Sequence, residues 1–419
     1  MRTLAIRQVY YGWWIVAGFV VINIYWYGLL VAGLTIFFTP IRQSFGWSAA
    51  LLAAIFSLLN VGSGICAPLV GIIFDRYGPR GLMLAATALA GSGLILASQT
   101  RGLATFVAAF LLVAIGFGIW ASGTGPAAAG LWFERRRGLA IGVIIGGAGA
   151  GGLLVPLWQA LLDMLGWRTT LVIAGLALWA VSFPASALLR HRPEQMGLLP
   201  DGTPTDERRE RHGQRTEADE AGFARAMGSW QFWLLCLACT LLLAGGTGAT
   251  LLLLQRLRDE AHVPAGRAVI AVSLTTLLSL VGKPGCGWLA DRFGPIRLAV
   301  ATAALQGVGL LALATAPERL VLLIIFVLAF GLANDNPRLM ASLILMQYFG
   351  LRAFGRIQGV LYFTMLAGRV AGPVVAGALH DAGHGYASAF LLYTVLAFAA
   401  VPLFLALRPP KMMHLAFST

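Results

Sequence analysis

The chain has 419 residues, of which 58% are hydrophobic and only 11% are charged, and its mean hydropathy is +0.80. This composition excludes a soluble globular protein of that length and predicts a protein that crosses a membrane many times. The net charge of +13 does not indicate a nucleic-acid partner, because the basic residues concentrate in segments on one side of the membrane. That asymmetry predicts that both termini face the cytoplasm, in the cell (inner) membrane.

Twelve apolar segments are long enough to cross a bilayer as helices, since a span needs about 20 residues. The first segment has no convincing small-residue cleavage site and is interpreted as a retained helix. We predict an all-α membrane protein with two six-helix halves, residues 1–190 and 229–419, joined by a polar cytoplasmic linker at 191–228. The predicted spans cover approximately residues 11–38, 48–73, 80–98, 103–130, 139–163, 169–190, 230–256, 265–290, 296–315, 319–346, 357–380 and 385–407.

The first span carries Asn23 four residues before Tyr27, so the two side chains share one helix face. Lipid offers no hydrogen-bond partner at that depth, which favours contact with an internal cavity. Simple packing or lipid contact of the aromatic ring is the alternative. We expect Asn23 and Tyr27 to contribute to a binding site.

A short motif ends the second span and returns at the end of the eighth. It reads GIIFDRYGPR with Asp75 and Arg76, and then GWLADRFGPIR with Asp291 and Arg292. An aspartate can cap the N-terminus of a following helix or pair with an arginine, while the arginines hold the loop at the inner face. Two copies at matching positions predict two halves of the same orientation, with these loops acting as gates.

This repeated loop resembles that of the major facilitator superfamily, and the resemblance covers the whole chain. A narrower likeness, to the monocarboxylate porter and oxalate/formate antiporter branch, lies in YYGWW of the first helix and RPEQMGLLPDG after the sixth. The most specific stretch is WFERRRGLAIGVIIGGAGAGG, between the fourth and fifth helices. In it, Arg135 and Arg136 are candidate gating residues, and the closely spaced glycines permit close contact and sliding between helices.

The eighth span contains Lys283, one of only two lysines in the chain. A charge at the bilayer centre costs roughly 2.5 to 3.5 kcal/mol, so a function must offset that cost. Ser279 lies four residues earlier, on the same face, and Pro284 loosens the helix beside the charge. We interpret Lys283 and Ser279 as substrate-binding; a lysine that reaches back to the headgroups is the alternative. In the resembled branch an arginine that engages the substrate carboxylate stands at the place of Lys283.

The tenth span holds a polar island, FGLANDNPRLMAS, in which Asp335 and Arg338 share a face beside Pro337. Two interpretations stay open for Asp335. It forms a structural pair with Arg338, or it carries the coupling proton and leaves Arg338 to the substrate.

In the eleventh span Arg369 shares a stripe with Gln358, Tyr362 and Met365, and we expect Arg369 and Tyr362 to contact substrate. The membrane interior would then hold three cations, Lys283, Arg338 and Arg369, against the single carboxylate of Asp335. That excess calls for an anionic substrate.

The implied function is a secondary active transporter of small monocarboxylates or related organic anions, working by alternating access with proton coupling or exchange. The chain has no nucleotide-binding G-x-x-x-x-G-K-[ST] signature. Neither an enzymatic activity nor a cofactor or metal site is predicted, and the expected partners are the organic anion, the coupling proton and the lipid bilayer. An exporter of amphiphilic compounds and a carrier-like sensor are the alternatives.

Overall fold

The structure is a computed structural model and describes residues 10–202, 216–261, 263–315, 318–334, 336–351, 353–379, 382–383 and 385–407. Helices account for nearly all of these ranges, and no β-strand occurs within them. The α-helices in chain order are α1 (Tyr11–Trp26), α2 (Leu34–Phe45), α3 (Ala49–Tyr77), α4 (Pro79–Gln99), α5 (Leu103–Ala121), α6 (Thr124–Trp132), α7 (Arg137–Ala150), α8 (Val155–Ala187), α9 (Thr216–Met227), α10 (Trp230–Gln255), α11 (Ala265–Phe293), α12 (Pro295–Thr315), α13 (Leu320–Ala333), α14 (Asn336–Phe349), α15 (Phe354–Leu379) and α16 (Gly385–Ala406).

Several predicted spans are built from more than one of these helices. The first consists of α1, a π-helical segment Tyr27–Ala32 and α2. The fourth is α5 followed by α6, and the tenth is α13 followed by α14. A bilayer leaves no water to satisfy a broken backbone, so such interruptions are tolerated where they are buried in protein or line a cavity.

Eleven helical segments in the described ranges are long and apolar enough to cross a membrane. One of them, Arg137–Ala187, is 51 residues long and contains both the fifth and the sixth predicted spans. Gly166 divides it, because its backbone has φ 75 and ψ 165, a conformation that only glycine adopts at low cost. The eleven segments therefore accommodate the twelve predicted spans.

Two long helix pairs hold the halves together: α3 packs along α15, and α7 packs along α11. Both pairs pack tightly through glycines. A Cβ on Gly355 would lie 2.6 Å from the carbonyl oxygen of Gly71, and a Cβ on Gly138 would collide with the carbonyl oxygen of Gly287. The backbones therefore approach more closely than any larger residue would allow.

The end of the bundle that carries Asp75 and Asp291 is called the inner end. The described part of the linker packs against it, as the short 3-10 helices Pro193–Met196 and Pro200–Gly202 and as α9. The Tyr10 hydroxyl donates to the carbonyl oxygens of Trp132 (2.9 Å) and Leu199 (3.2 Å). Burial, and then the nearby carboxylates of Asp201 and Glu194, raise the pKa of Tyr10, so its hydroxyl stays a donor at neutral pH.

Candidate functional site

A cavity of about 350 Å³ lies between the two halves. The first half contributes lining residues from α1, α5, α6 and α7, and the second contributes them from α10, α11, α13, α14 and α15. The seven side chains predicted from the sequence to bind substrate all line this cavity: Lys283, Arg369, Asn23, Tyr27, Ser279, Tyr362 and Arg338.

Lys283 lies on α11 and is only 6% exposed. Ser279 and Thr276 line the same cavity from the same helix, as the spacing of three to four residues predicts. The backbone of α7 lies directly behind the lysine, because a Cβ on Gly142 would stand 2.5 Å from the carbonyl oxygen of Lys283. The helices α7 and α11 therefore pack backbone to backbone at the level of the lysine.

Arg369 extends from α15 towards α3, in the other half. Its Nη2 donates to Oδ1 of Asn60 at 2.9 Å, and its Nη1 donates to Oγ of Ser63 at 3.4 Å. Sequence reasoning missed both acceptors, although an asparagine in an otherwise apolar span was a usable signal. A cation of the second half is thus bonded to neutral oxygen atoms of the first half.

The stripe predicted on α15 separates into two groups. Tyr362 and Arg369 line the cavity, whereas Gln358 and Met365 are 1% and 2% exposed. Gln358 instead donates to Oγ of Ser342 at 2.8 Å and joins α15 to α14. Gln358 and Met365, the residues of the stripe that do not line the cavity, therefore serve packing within the second half.

The two asparagines of the polar island in the tenth span lie in different environments. Asn334 has an extended backbone (ψ 142) between α13 and α14, and its Nδ2 donates to Oγ1 of Thr250 at 3.2 Å. Asn336 is fully buried and donates to the carbonyl oxygen of Leu332 at 2.7 Å. Asp335 lies outside the described residues, and with it the predicted Asp335/Arg338 pair.

The fourth span has a matching interruption that was predicted as continuous helix. Gly123 separates α5 from α6 with φ 85, in the left-handed region, which glycine occupies without strain. The sequence Ser122-Gly-Thr-Gly-Pro126 contains the signal, since glycine and proline interrupt helices. Gly123 and Asn334 both line the cavity, so the two halves place their broken helices at the same site.

The wall of the first half is organised around Asn23. Its Nδ2 donates to the carbonyl oxygen of Ile144 at 2.6 Å, and its Oδ1 accepts from Nε1 of Trp120 at 2.9 Å. The Trp120 ring stacks on that of Trp26, with centroids 5.6 Å apart and an interplanar angle of 16°. Trp120 was not identified from the sequence, because a tryptophan in a membrane helix has no local feature that marks cavity contact.

Asp75 and Asp291 do not act within their own loops. Both lie in the last helical turn, of α3 and of α11 respectively, and each accepts two backbone hydrogen bonds from the opposite half. Asp75 accepts from the amides of Gly355 (2.9 Å) and Arg356 (3.0 Å). Asp291 accepts from those of Gly138 (2.6 Å) and Leu139 (2.9 Å).

The backbone amides that these aspartates bind therefore belong to helices of the opposite half and not to the helix that follows each aspartate. The helix after Asp75 has Gly78 as its N-cap and receives no side-chain capping hydrogen bond there. The two carboxylates instead bind amides at the start of α15 and α7, where the helix dipole favours a negative charge. We call these two carboxylate-to-amide contacts the inner latches.

The arginines predicted as gating residues lie beside the latches and do not form them. Arg76 lies over the Tyr77 ring at 5.2 Å, and Arg292 lies near Trp288 and Phe293. Arg135 and Arg136 are exposed.

The carboxylate of Asp201, in the linker, binds the turn before α7. Its Oδ2 accepts from the backbone amides of Glu134 (3.0 Å) and Arg135 (2.8 Å). This contact was not predicted, because the linker was interpreted from its charge alone.

Comparison with known proteins places the chain in a family. The Major Facilitator Superfamily profile matches residues 16–333 and 235–417. Monocarboxylate transporter 3 of Rattus norvegicus is 30% identical over 393 residues, covering 91% of this chain and 76% of the relative. Monocarboxylate transporter 11 of Homo sapiens is 27% identical, covering 91% and 80%.

Solved structures share the fold at low sequence identity. The fucose:proton symporter of E. coli superposes with a TM-score of 0.70 at 16% identity, covering 93% of this chain and 97% of that one. The human organic anion transporter MFSD10 gives 0.70 at 16% identity, covering 94% and 98%. These likenesses confirm the predicted all-α membrane fold of two similar halves. The chain belongs to the major facilitator superfamily, in its monocarboxylate porter branch.

Proposed function

We propose that the chain is a secondary carrier of small monocarboxylates or related organic anions, with the cavity between the halves as its substrate site. The observation that carries this proposal is the convergence of Lys283, Arg338 and Arg369 on one cavity. A buried cation is costly unless an anion or a polar network offsets the cost. The monocarboxylate transporters among its relatives make a carboxylate the first anion to test.

Alternating access would proceed around this site by opening and closing the inner latches. In the described state Asp75 and Asp291 each join an end of one half to a helix N-terminus of the other. Breaking both contacts would separate the halves at the inner end and open the cavity to that side. The membership in a transporter family and the absence of a nucleotide signature in the sequence support transport rather than catalysis.

Substrate movement is proposed to be coupled to a proton or to the exchange of a second anion. Asp335 is the candidate proton carrier, because its place beside Arg338 in the sequence would let protonation free a cation for substrate.

We also propose that both termini face the cytoplasm and that the protein resides in the cell (inner) membrane. The positive-inside asymmetry of the sequence supports that orientation. The same orientation leaves residues 191–228 as the cytoplasmic linker between the halves.

Substitution of Lys283 tests the proposal. In proteoliposomes that contain the purified full chain, labelled pyruvate or lactate should exchange with the unlabelled acid in the native protein. Lys283→Gln should lower that exchange thirtyfold or more, since removing one partner of a buried charge pair costs about 2 to 5 kcal/mol. Lys283→Arg should keep binding and change the pH profile. The matched control is Lys411→Gln, at the only other lysine in the sequence.

Well-folded Lys283→Gln protein with normal exchange would contradict the proposal. So would a native protein that binds carboxylates but exchanges none, because a sensor binds its ligand without moving it. Transport of amphiphilic cations in preference to carboxylates would instead favour the exporter.

A further inference from the structure

The two halves of the protein line the cavity with side chains of different charge. Its three cations all lie on the second half, where threonine and serine hydroxyls accompany them. Among the described lining residues, the first half contributes no charged side chain. Its wall is uncharged and contains the aromatic rings of Phe19, Phe117 and Trp120 beside the neutral polar side chains of Asn23, Tyr27 and Thr124. A ligand that suits both sides has an anionic end and an apolar end.

The aromatic wall is fixed in place before any ligand arrives. Trp120 is stacked on Trp26, and its indole N–H is already donated to Asn23. Trp26 is fully buried, and its own Nε1 donates to Oγ of Ser182 at 3.2 Å. A side chain that is already immobilised loses little further entropy on binding, so it supplies apolar contact at low cost.

The size of the cavity exceeds what a three-carbon acid needs. Its volume of about 350 Å³ falls within the range of roughly 300 to 1,000 Å³ that is typical of ligand pockets. Propionate has about five non-hydrogen atoms and 3-phenylpropionate about eleven, so the larger acid would leave less of the space to water. Filling the space with a ring would remove apolar surface from water on both the ligand and the wall.

We propose that the cavity selects monocarboxylates that carry an aromatic ring, with the carboxylate against the cations of α11, α14 and α15 and the ring against Trp120 and its aromatic neighbours. This inference rests on the proposed function, because it takes the carboxylate site as given. What is new is the chemical class of the part of the substrate that lies beyond its carboxylate.

The ligand side is tested by calorimetric titration of the purified full chain with three probes. We expect 3-phenylpropionate to bind at least tenfold more tightly than propionate, and 3-phenylpropionamide, which has the ring without the charge, to bind much more weakly. Equal affinities for propionate and 3-phenylpropionate would overturn the ring selection and leave the carboxylate carrier intact. Equal affinities for 3-phenylpropionamide and 3-phenylpropionate would overturn the carboxylate site itself.

The protein side is tested at the wall. Trp120→Leu should weaken 3-phenylpropionate roughly tenfold more than it weakens propionate, while Trp120→Phe, which keeps a ring, should retain most of the preference. The control is Trp14→Leu, the same change at a tryptophan of α1 that is 53% exposed and does not line the cavity. An equal loss for both ligands in Trp120→Leu would indicate a general structural role and overturn the proposal. If that variant does not fold, the comparison of the three probes on the native chain decides.

Discussion

Asp75 is the residue whose replacement tests the inner latch most directly. Its carboxylate belongs to the first half and accepts two backbone hydrogen bonds from α15 of the second half, from Gly355 and Arg356. Asp75→Ala removes both acceptors. Asp75→Asn keeps one acceptor and places an amide N–H against the other backbone donor. The two variants should therefore weaken the closed inner end in the order Asn, then Ala.

The expected magnitude follows from the geometry. A hydrogen bond to a charged group contributes about 1.5 to 3 kcal/mol, and the lower end applies because the carboxylate is only partly buried. Loss of two such bonds amounts to about 3 kcal/mol, or roughly a hundredfold shift away from the closed inner end. Loss of one such bond corresponds to roughly a tenfold shift away from the closed inner end. Turnover should fall accordingly, because reclosing becomes slow, while substrate affinity should change less.

The assay measures the distance between two spin labels at the inner end and the rate of substrate exchange in proteoliposomes. Spin labels on Glu134→Cys and Gln347→Cys, with the four native cysteines replaced, would lie across the small cleft beside Asp291 that both residues line, and so report whether the inner end as a whole opens when the other latch is removed. Pulsed electron resonance should show a longer distance in Asp75→Ala, and proteoliposome exchange should show the slower turnover. The control is Asp163→Asn, an exposed aspartate bonded to Gln159. An unchanged distance distribution, or an affinity that falls as far as turnover, would refute the latch.

Two further predictions concern the linker and the coupling of transport. Asp201→Ala removes the acceptor for the amides of Glu134 and Arg135, and should lower the free energy of unfolding by about 1 to 2 kcal/mol. Thermal unfolding measures this, and an unchanged midpoint would show that the linker contact is dispensable. Asp335→Asn should mimic the protonated carboxyl, keeping pH-insensitive exchange of labelled substrate while losing accumulation driven by a proton gradient. A folded Asp335→Asn protein that still accumulates substrate in response to pH would exclude Asp335 as the proton carrier.

The sequence by itself determined the fold class and several of the side chains that line the cavity, on α1, α11, α14 and α15. A bilayer forces each span to satisfy its own backbone hydrogen bonds, so apolar length alone predicts the helices. The repeat of Asp75 as Asp291 indicated two similar halves. Lys283 and Arg369 stood out because a charge within a span is costly, and Asn23 did so because lipid offers its amide no partner. These are local properties, and local spacing is enough to recognise them.

Only the tertiary structure decided which helices meet. Asp75 bonds to an amide 280 residues away, and Arg369 bonds to Asn60 309 residues away, and no local pattern encodes either partner. Trp120 is held in the wall by two residues of another helix, since Asn23 accepts its indole N–H and Trp26 stacks on its ring. Asp75 binds the N-terminus of α15 and not that of the following helix, because the glycine contacts between α3 and α15 bring the N-terminus of α15 within reach. A helical period fixes which face a residue occupies, but the neighbour of that face depends on how glycine surfaces from distant parts of the chain fit together.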